Sequence, residues 1–420
     1  MTLDLAGVGI GPFNLSLAAL AEPVPGLAVA MFERRAEFRW HPGLLIEGTT
    51  IQVPFLADLV SLADPTSQLS FLNYLREHDR LFPFYFAERF HLPRAEYDHY
   101  CRWASGRLKS CRFGVEIREI RWDSGAFQLL PADGEPIRAR NVVLGVGTSP
   151  WLPEPLRHLD FVVHAADYLP ARDRLLTAGV VTVIGSGQSG AEIFLDLLRR
   201  RRRPDGLRWI ARTPSFAPME YSKLGLEQFT PDYTSFFHDL DEPVRDQLVP
   251  AQWQLYKGID AETIAEIHDE LYRRSIGSTW PEVTLTPGVE VVSAERDGTG
   301  IALGLRHAQQ GTTATWHTDA VVAATGYAEA SLDDLLGPLA VARDARGRPV
   351  VTRDYRLQLP EDISGSAYVQ NAERHTHGVG APDLGLAAWR AASIINSVCG
   401  RAIYDLPSRT AFTKFGLEVT

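Results

Sequence analysis

Cysteine is scarce: the chain has three, Cys101, Cys111 and Cys399, an odd number with no C-x-x-C spacing. Such a set supports neither a disulfide framework nor a zinc site, and it lacks the redox pair that a disulfide reductase requires near its flavin; a reducing cytoplasm is the natural setting. Long apolar runs are also missing. None approaches the roughly 20 residues of a membrane span, and the first residues enter an apolar strand pattern without a basic leader, so a soluble cytoplasmic protein is expected. Positive charge is in the minority, 42 Lys and Arg against 52 Asp and Glu for a net −10. That balance argues against general nucleic-acid binding, which needs a basic surface to displace counterions. What remains is an ordinary globular composition, 420 residues with 45% hydrophobic and 22% charged, enough for two or three domains with large cores.

The first informative segment is "LDLAGVGIGPFNLSLAALA", an apolar strand running into glycines and then a helix pattern. Gly7, Gly9 and Gly11 read G-x-G-x-G, with Pro12 in place of a variable residue. Glycines there let the backbone turn sharply and approach a pyrophosphate, which then rests on the partly positive helix N-terminus. The following strand pattern, "LAVAMFERR", ends in Glu33, where a carboxylate can accept hydrogen bonds from a ribose. The plainer reading is a glycine turn that only packs helix on strand.

A second copy lies downstream in "GVVTVIGSGQSGAEIFLDLLRR": a buried strand over 180–184, then Gly185, Gly187 and Gly190 as G-x-G-x-x-G, with Gln188 and Ser189 between them. Two such units suggest two dinucleotides bound face to face, as in flavoprotein oxidoreductases that use NAD(P)H. The strand after the second unit, "LRWIARTPSF", ends in Arg212 rather than an acid, which favours the 2′-phosphate of NADPH over the 2′-hydroxyl of NAD. The run Arg199 to Arg203 competes for that role, although such a run at a helix C-terminus is more often a solvated end that complements the dipole. Two further apolar strands, over 142–147 and over 321–324 leading into Thr325, Gly326 and Tyr327, end in small residues suited to lie near a cofactor. The expected architecture is α/β: two Rossmann-like dinucleotide-binding domains, for FAD and NADPH, with a small, mainly helical substrate region. The FAD domain takes 1–170 and 315–420, the NADPH domain 171–314, and the substrate region about 217–275.

With these residues in place the chain resembles the flavin-dependent N-hydroxylating monooxygenases of siderophore biosynthesis, the lysine N6- and ornithine N5-hydroxylase family. The resemblance covers nearly the whole length, through "GVGIGPFNLSLAAL", "FRWHPGLLIEGTTIQVPFLADLVSLADPTSQLSFLNYL", "GSGQSGAE", "AATGY" and "ERHTHGVGAPDLGLAAWRAA". It implies that NADPH reduces FAD, that O2 adds at the flavin C4a position, and that the resulting hydroperoxide passes an oxygen to a primary amine. It also implies a homo-oligomer. Trp40, His41 and Gln52 should lie along the isoalloxazine, with His41 and Gln52 in catalytic roles, and Thr376, His377 and Gly378 near the flavin. Read alone, Trp40 and His41 would be a half-buried turn pair. His375 and His377, at i and i+2 with no third ligand, do not make a metal site, and none is expected.

Where the family's ornithine and lysine enzymes have a lysine that helps hold the substrate's α-carboxylate, "FLADLV" has Ala57. Leu255 is expected where ornithine enzymes have an asparagine at the amino-acid head group, and the stretch with Glu220, Tyr221, Ser222 and Lys223 also departs. A buried carboxylate needs a cationic or multiply hydrogen-bonding partner. Its loss implies a substrate without one, an aliphatic diamine such as putrescine or cadaverine, whose second amine would meet Glu220 or Asp383. The alternatives are a size change at Ala57 compensated by another cation such as Lys223, an L-lysine or L-ornithine hydroxylase, and a flavin-dependent NADPH oxidase or reductase.

Overall fold

The computed structural model describes residues 2–201, 205–277, 280 and 282–417. Arg202 and Arg203 of the arginine run lie outside the described residues. A seven-stranded sheet is built first, in the order Cys111–Phe113, Val29–Glu33, Leu3–Val8, Ile137–Leu144, Ala126–Pro131, Ile117–Asp123, with Ala367–Val369 also on Ile137–Leu144. Pairing is parallel around Leu3–Val8 and antiparallel through the hairpin strands 117–131. The central strand Leu3–Val8 ends fully buried, and every residue of the helix that follows it, Pro12–Ala21, is buried too. That helix packs against the C-terminal helix Ala387–Cys399, so the end of the chain seals the face its beginning opens.

The second sheet has five parallel strands, ordered Val162–His164, Ala320–Ala323, Val181–Ile184, Leu207–Ala211, Val283–Pro287. Its pairing moves the boundaries expected from sequence. Val162–His164 and Ala320–Ala323, assigned on sequence to the first domain, are hydrogen-bonded into the second sheet. Short apolar strands carry no mark of which sheet they enter; register with Val181–Ile184 decides it. The chain crosses between the sheets at an antiparallel ribbon of Thr148–Pro150 and Tyr327–Glu329, near 150 and 327.

Residues 223–275 form a run of helices, the longest Ala261–Ser275, capped by the Asp260 carboxylate accepting from the N–H groups of Glu262 and Thr263. Between the halves, the Arg94 guanidinium makes a two-pronged ion pair with Glu192, at 2.8 and 2.9 Å, both side chains nearly out of solvent. Among the described residues no helix is long and apolar enough to cross a membrane.

Candidate active site

Each glycine turn is an open cradle at a helix N-terminus. In the first, Gly7 has no room for a side chain, since a Cβ would sit 1.9 Å from the Met31 sulfur. Gly9 has φ +86° and would meet the Gly145 carbonyl at 2.4 Å, so only glycine fits. At Gly11 a Cβ would meet nothing within 4 Å, leaving free space before Pro12, the first helical residue. The side chain of Asn14 donates to the carbonyls of Val8 and Gly9, and Gln370 donates to Asn14, which stiffens the turn from beneath. Glu33 accepts from the Ile10 N–H at 2.9 Å and the Arg35 N–H at 3.0 Å, which fixes its carboxylate beside the turn. Free space, unpaired helix N–H groups and a fixed carboxylate fit the pyrophosphate and ribose of a dinucleotide.

The second turn repeats this plan. A Cβ on Gly185 or Gly190 would strike backbone carbonyls, at 2.2 and 2.5 Å, whereas one on Gly187 would reach nothing closer than 3.6 Å. The Gln188 amide is committed: it accepts from the Asp260 N–H at 2.7 Å and donates to Glu192 and Thr263 at 2.9 and 3.0 Å. It thereby ties the nucleotide helix to the helical region, and its own side chain is not free for a ligand. Arg212 is exposed just beyond the strand Leu207–Ala211.

Beside the second turn, which contributes Ser189, lies a cavity of about 280 Å³ whose other walls come mostly from the first half of the chain. Its polar wall is Trp40, His41, Gln52, Arg94, Ser189, Tyr327 and Asp383, and its apolar wall includes Leu44, Ile51, Val53 and Leu384. A hollow of about 370 Å³ under the C-terminal tail, lined by Asp232, Phe236 and Arg409, adjoins neither glycine turn, so the chemistry belongs to the smaller one. His41 holds a left-handed backbone, φ 44°, uncommon outside glycine although histidine, asparagine and aspartate adopt it more readily than other residues. Its neighbours impose it: the Trp40 N–H is bound by Asp98 at 2.8 Å, and Gly43 presses so close to Ala166 that a Cβ would lie 1.8 Å from that carbonyl. The imidazole sits edge-on between Trp40 and Tyr327. Desolvation in the cleft wall, helped by Arg94 and Arg35, lowers its pKa to about 4, so it is neutral near pH 7. The Tyr327 hydroxyl is buried without a partner, while Gly326 accepts from His164 and the Thr325 hydroxyl donates to the Trp151 carbonyl. Asp383 caps the turn Leu384–Leu386, accepting from the Gly385 N–H at 2.7 Å. Burial, opposed by that bond and by Arg390, raises its pKa to about 6.

Other residues singled out on sequence lie elsewhere. His377 is interior, stacked on Tyr355 and bonded to Thr376, with its Nε2 toward the Arg353 carbonyl, and desolvation pushes its pKa well down. Gly378 packs on Phe237, and 376–378 do not line the cavity. His375 points to the Pro349 carbonyl, away from His377. Ala57 is buried and does not line the cavity. Leu255 does not line the cavity; it is buried in an apolar cluster with Tyr233, Phe237 and Val379, where the inner face of its helix packs. Glu220 and Lys223 are exposed, Glu220 accepting from the Ser222 N–H. Between them Tyr221 reaches the first half, donating to the Gln52 carbonyl at 3.2 Å and pairing with His91 at 2.6 Å. Sequence reasoning missed Arg94 and His91 and gave Tyr221 no role of its own; no local pattern marks side chains whose partners lie 98 to 169 residues away.

Two dinucleotide cradles, with a small cavity of apolar, acidic and aromatic lining beside the second, fit a two-nucleotide flavoprotein oxidoreductase. The model of the L-lysine 6-monooxygenase/L-ornithine 5-monooxygenase family matches residues 1–329, and the chain belongs to that family. It is an FAD-dependent amine N-monooxygenase that uses NADPH. It is 46% identical to the rhizobactin siderophore biosynthesis protein RhbE of Rhizobium meliloti, over 99% of this chain and 95% of that protein. It is 40% identical to the putrescine N-hydroxylase of Shewanella oneidensis, over 98% of this chain and 84% of that one. Among solved structures, DfoA bound to FAD, the cadaverine monooxygenase of desferrioxamine biosynthesis in Erwinia amylovora, superposes with a TM-score of 0.95 at 35% identity, covering all of both chains.

Proposed function

We propose that this enzyme N-hydroxylates one primary amine of an aliphatic diamine, putrescine or cadaverine, for hydroxamate siderophore biosynthesis. One observation carries the reading: the charge free to meet a substrate in the cavity is negative. Arg94 is the only cation on its wall among the described residues, and both its terminal nitrogens are spent on Glu192. Asp383 has no basic partner at ion-pair distance among the described residues and sits at the cavity edge. An α-carboxylate would meet a committed arginine and an acid there, whereas a second ammonium would meet an acid it can pair with. The putrescine and cadaverine chemistry named for the two relatives above supports the same substrate class.

In this reading Gly7, Gly9, Gly11 and Glu33 hold FAD, Gly185, Gly187, Ser189, Gly190 and Arg212 hold NADPH, and Trp40, His41, Gln52 and Tyr327 border the reacting centre. Bound FAD, reduced by NADPH and reacting with O2, supplies the oxygen atom. The chain's residues present the amine. A free alkylamine has a pKa of about 10.4, so it must lose a proton before its lone pair can attack. The apolar wall of Leu44, Ile51, Val53 and Leu384 favours that loss by desolvation. Neutral His41 can accept a hydrogen bond from the amine without adding positive charge beside it. Asp383 holds the distal ammonium, which leaves the other, equivalent amine to face the reacting centre. NADPH oxidation coupled to hydroxylamine detection, run with diamines and with lysine and ornithine, tests the assignment; higher kcat/KM with an amino acid defeats it.

A further inference from the structure

Outside the cavity, three cations gather where the second glycine turn meets the first half of the chain. Arg212 follows the strand Leu207–Ala211, and Lys257 ends the helix Trp253–Lys257. The Lys257 carbonyl lies 3.6 Å from where a side chain on Gly187 would begin, which puts this residue at the mouth of the turn. Arg374 comes from the other half, opening the short helix Arg374–His377. The Tyr256 ring joins them, with the Lys257 ammonium 5.3 Å and the Arg374 guanidinium 5.7 Å from its centre. Desolvation, then Arg374 and Arg212, push the Lys257 pKa down, so both arginines lie within Coulombic reach of that ammonium. The acid in direct contact is Glu329, 3.3 Å from Arg374. In a chain of net charge −10, this concentration of like charge runs against the average and is relieved by an anion.

We propose that Lys257 and Arg374 join Arg212 in holding the 2′-phosphate of NADPH, and that this phosphate bridges the two halves of the molecule. The proposal rests on the second turn binding NADPH, and it is independent of which amine is hydroxylated. The 2′-phosphate, beyond the end of the strand Leu207–Ala211 and beside the turn, accepts charge-assisted hydrogen bonds from Arg212 and Lys257 on one side and from Arg374 on the other. Cofactor binding then draws the halves together, at a point away from the buried Arg94–Glu192 pair.

Calorimetric titration of the FAD-loaded enzyme with 2′,5′-ADP and with 5′-AMP separates the phosphate from the rest of the nucleotide. Lys257→Gln and Arg374→Gln should each weaken 2′,5′-ADP by about 10-fold or more and leave 5′-AMP within about 2-fold. Lys257→Arg and Arg374→Lys should restore most of the loss, and KM should rise for NADPH but not for NADH. Unchanged 2′,5′-ADP affinity in the glutamine variants, with discrimination lost only in Arg212→Ala, overturns the role of Lys257 and Arg374 and leaves the NADPH assignment standing. Equal weakening of both ligands also overturns it, as structural damage. A wild-type enzyme that binds the two ligands equally removes the NADPH assignment itself, and the proposal with it.

Discussion

Replacing Asp383 by asparagine removes a charge while keeping the shape of the turn. Oδ1 of the asparagine can still accept from the Gly385 N–H, so the cap on Leu384–Leu386 survives. What disappears is the anion that meets the distal ammonium. A hydrogen bond to a charged group is worth about 1.5–3 kcal/mol, so kcat/KM for putrescine and cadaverine should fall by about 10- to 150-fold. n-Butylamine, with no second amine, should change by less than about 3-fold, and the difference between the two substrates isolates the interaction. The carboxyl has a pKa of about 6, so diamine kcat/KM should climb as pH rises through that value, and the step should vanish in the variant. Stability runs the other way. Because this acid's folded pKa is raised, the native state binds more protons than the unfolded chain between about 3.8 and about 6, and stability falls as pH rises through that window. Asp383→Asn should therefore be as stable as the parent, or more so, at pH 8. Hydroxylamine formation across pH 5 to 8 with both amines is the assay. Equal losses for butylamine and putrescine, or a diamine step that persists in the variant, would refute the reasoning.

Three other changes follow from the site. Glu192→Ala leaves the Arg94 guanidinium buried without its partner and should cost about 3–5 kcal/mol in urea unfolding of the FAD-loaded enzyme; a loss below about 1 kcal/mol would show that the pair does not hold the halves together. His41, with a folded pKa of about 4, stays unprotonated while an unfolded imidazole takes up a proton below about 6.5, so stability falls as pH drops through that window. His41→Asn, which tolerates the left-handed backbone, should flatten the change in unfolding midpoint between pH 7 and 5, and an identical slope would contradict the low pKa. Ala57→Lys places a long cation in a buried site, with an overpacking cost of about 1–3 kcal/mol, and should lower the ratio of diamine to lysine turnover. An unchanged ratio would show that the position does not control the substrate.

The two glycine turns were legible because their residue types answer a local steric demand: Gly9 and Gly185 sit where a Cβ would strike a carbonyl, and that demand is written into the strand-turn-helix pattern itself. Trp40, His41, Gln52, Ser189, Tyr327 and Asp383, named on sequence, all meet at one cavity. The domain crossings were not legible, because Val162–His164 and Ala320–Ala323 are apolar strands whose sheet is decided only by pairing. Nor was the commitment of Arg94, which depends on Glu192, 98 residues away in the chain. Leu255, expected from the resemblance where ornithine enzymes have an asparagine, packs in the cluster around Phe237, a placement that depends on how its helix is turned. Ala57 reads on sequence as a missing charge at the substrate. The alanine is buried off the cavity wall, and the acidic character of the site is carried instead by Asp383 and by an arginine already neutralised.

The central claim is the substrate, and the product spectrum tests it most directly. The FAD-loaded enzyme, supplied with NADPH and O2, should be given putrescine, cadaverine, L-lysine and L-ornithine in parallel, with hydroxylated products quantified by mass spectrometry. N-hydroxyputrescine or N-hydroxycadaverine should form with the highest kcat/KM, and the amino acids should give little product. Lysine or ornithine turned over faster than either diamine would contradict the account.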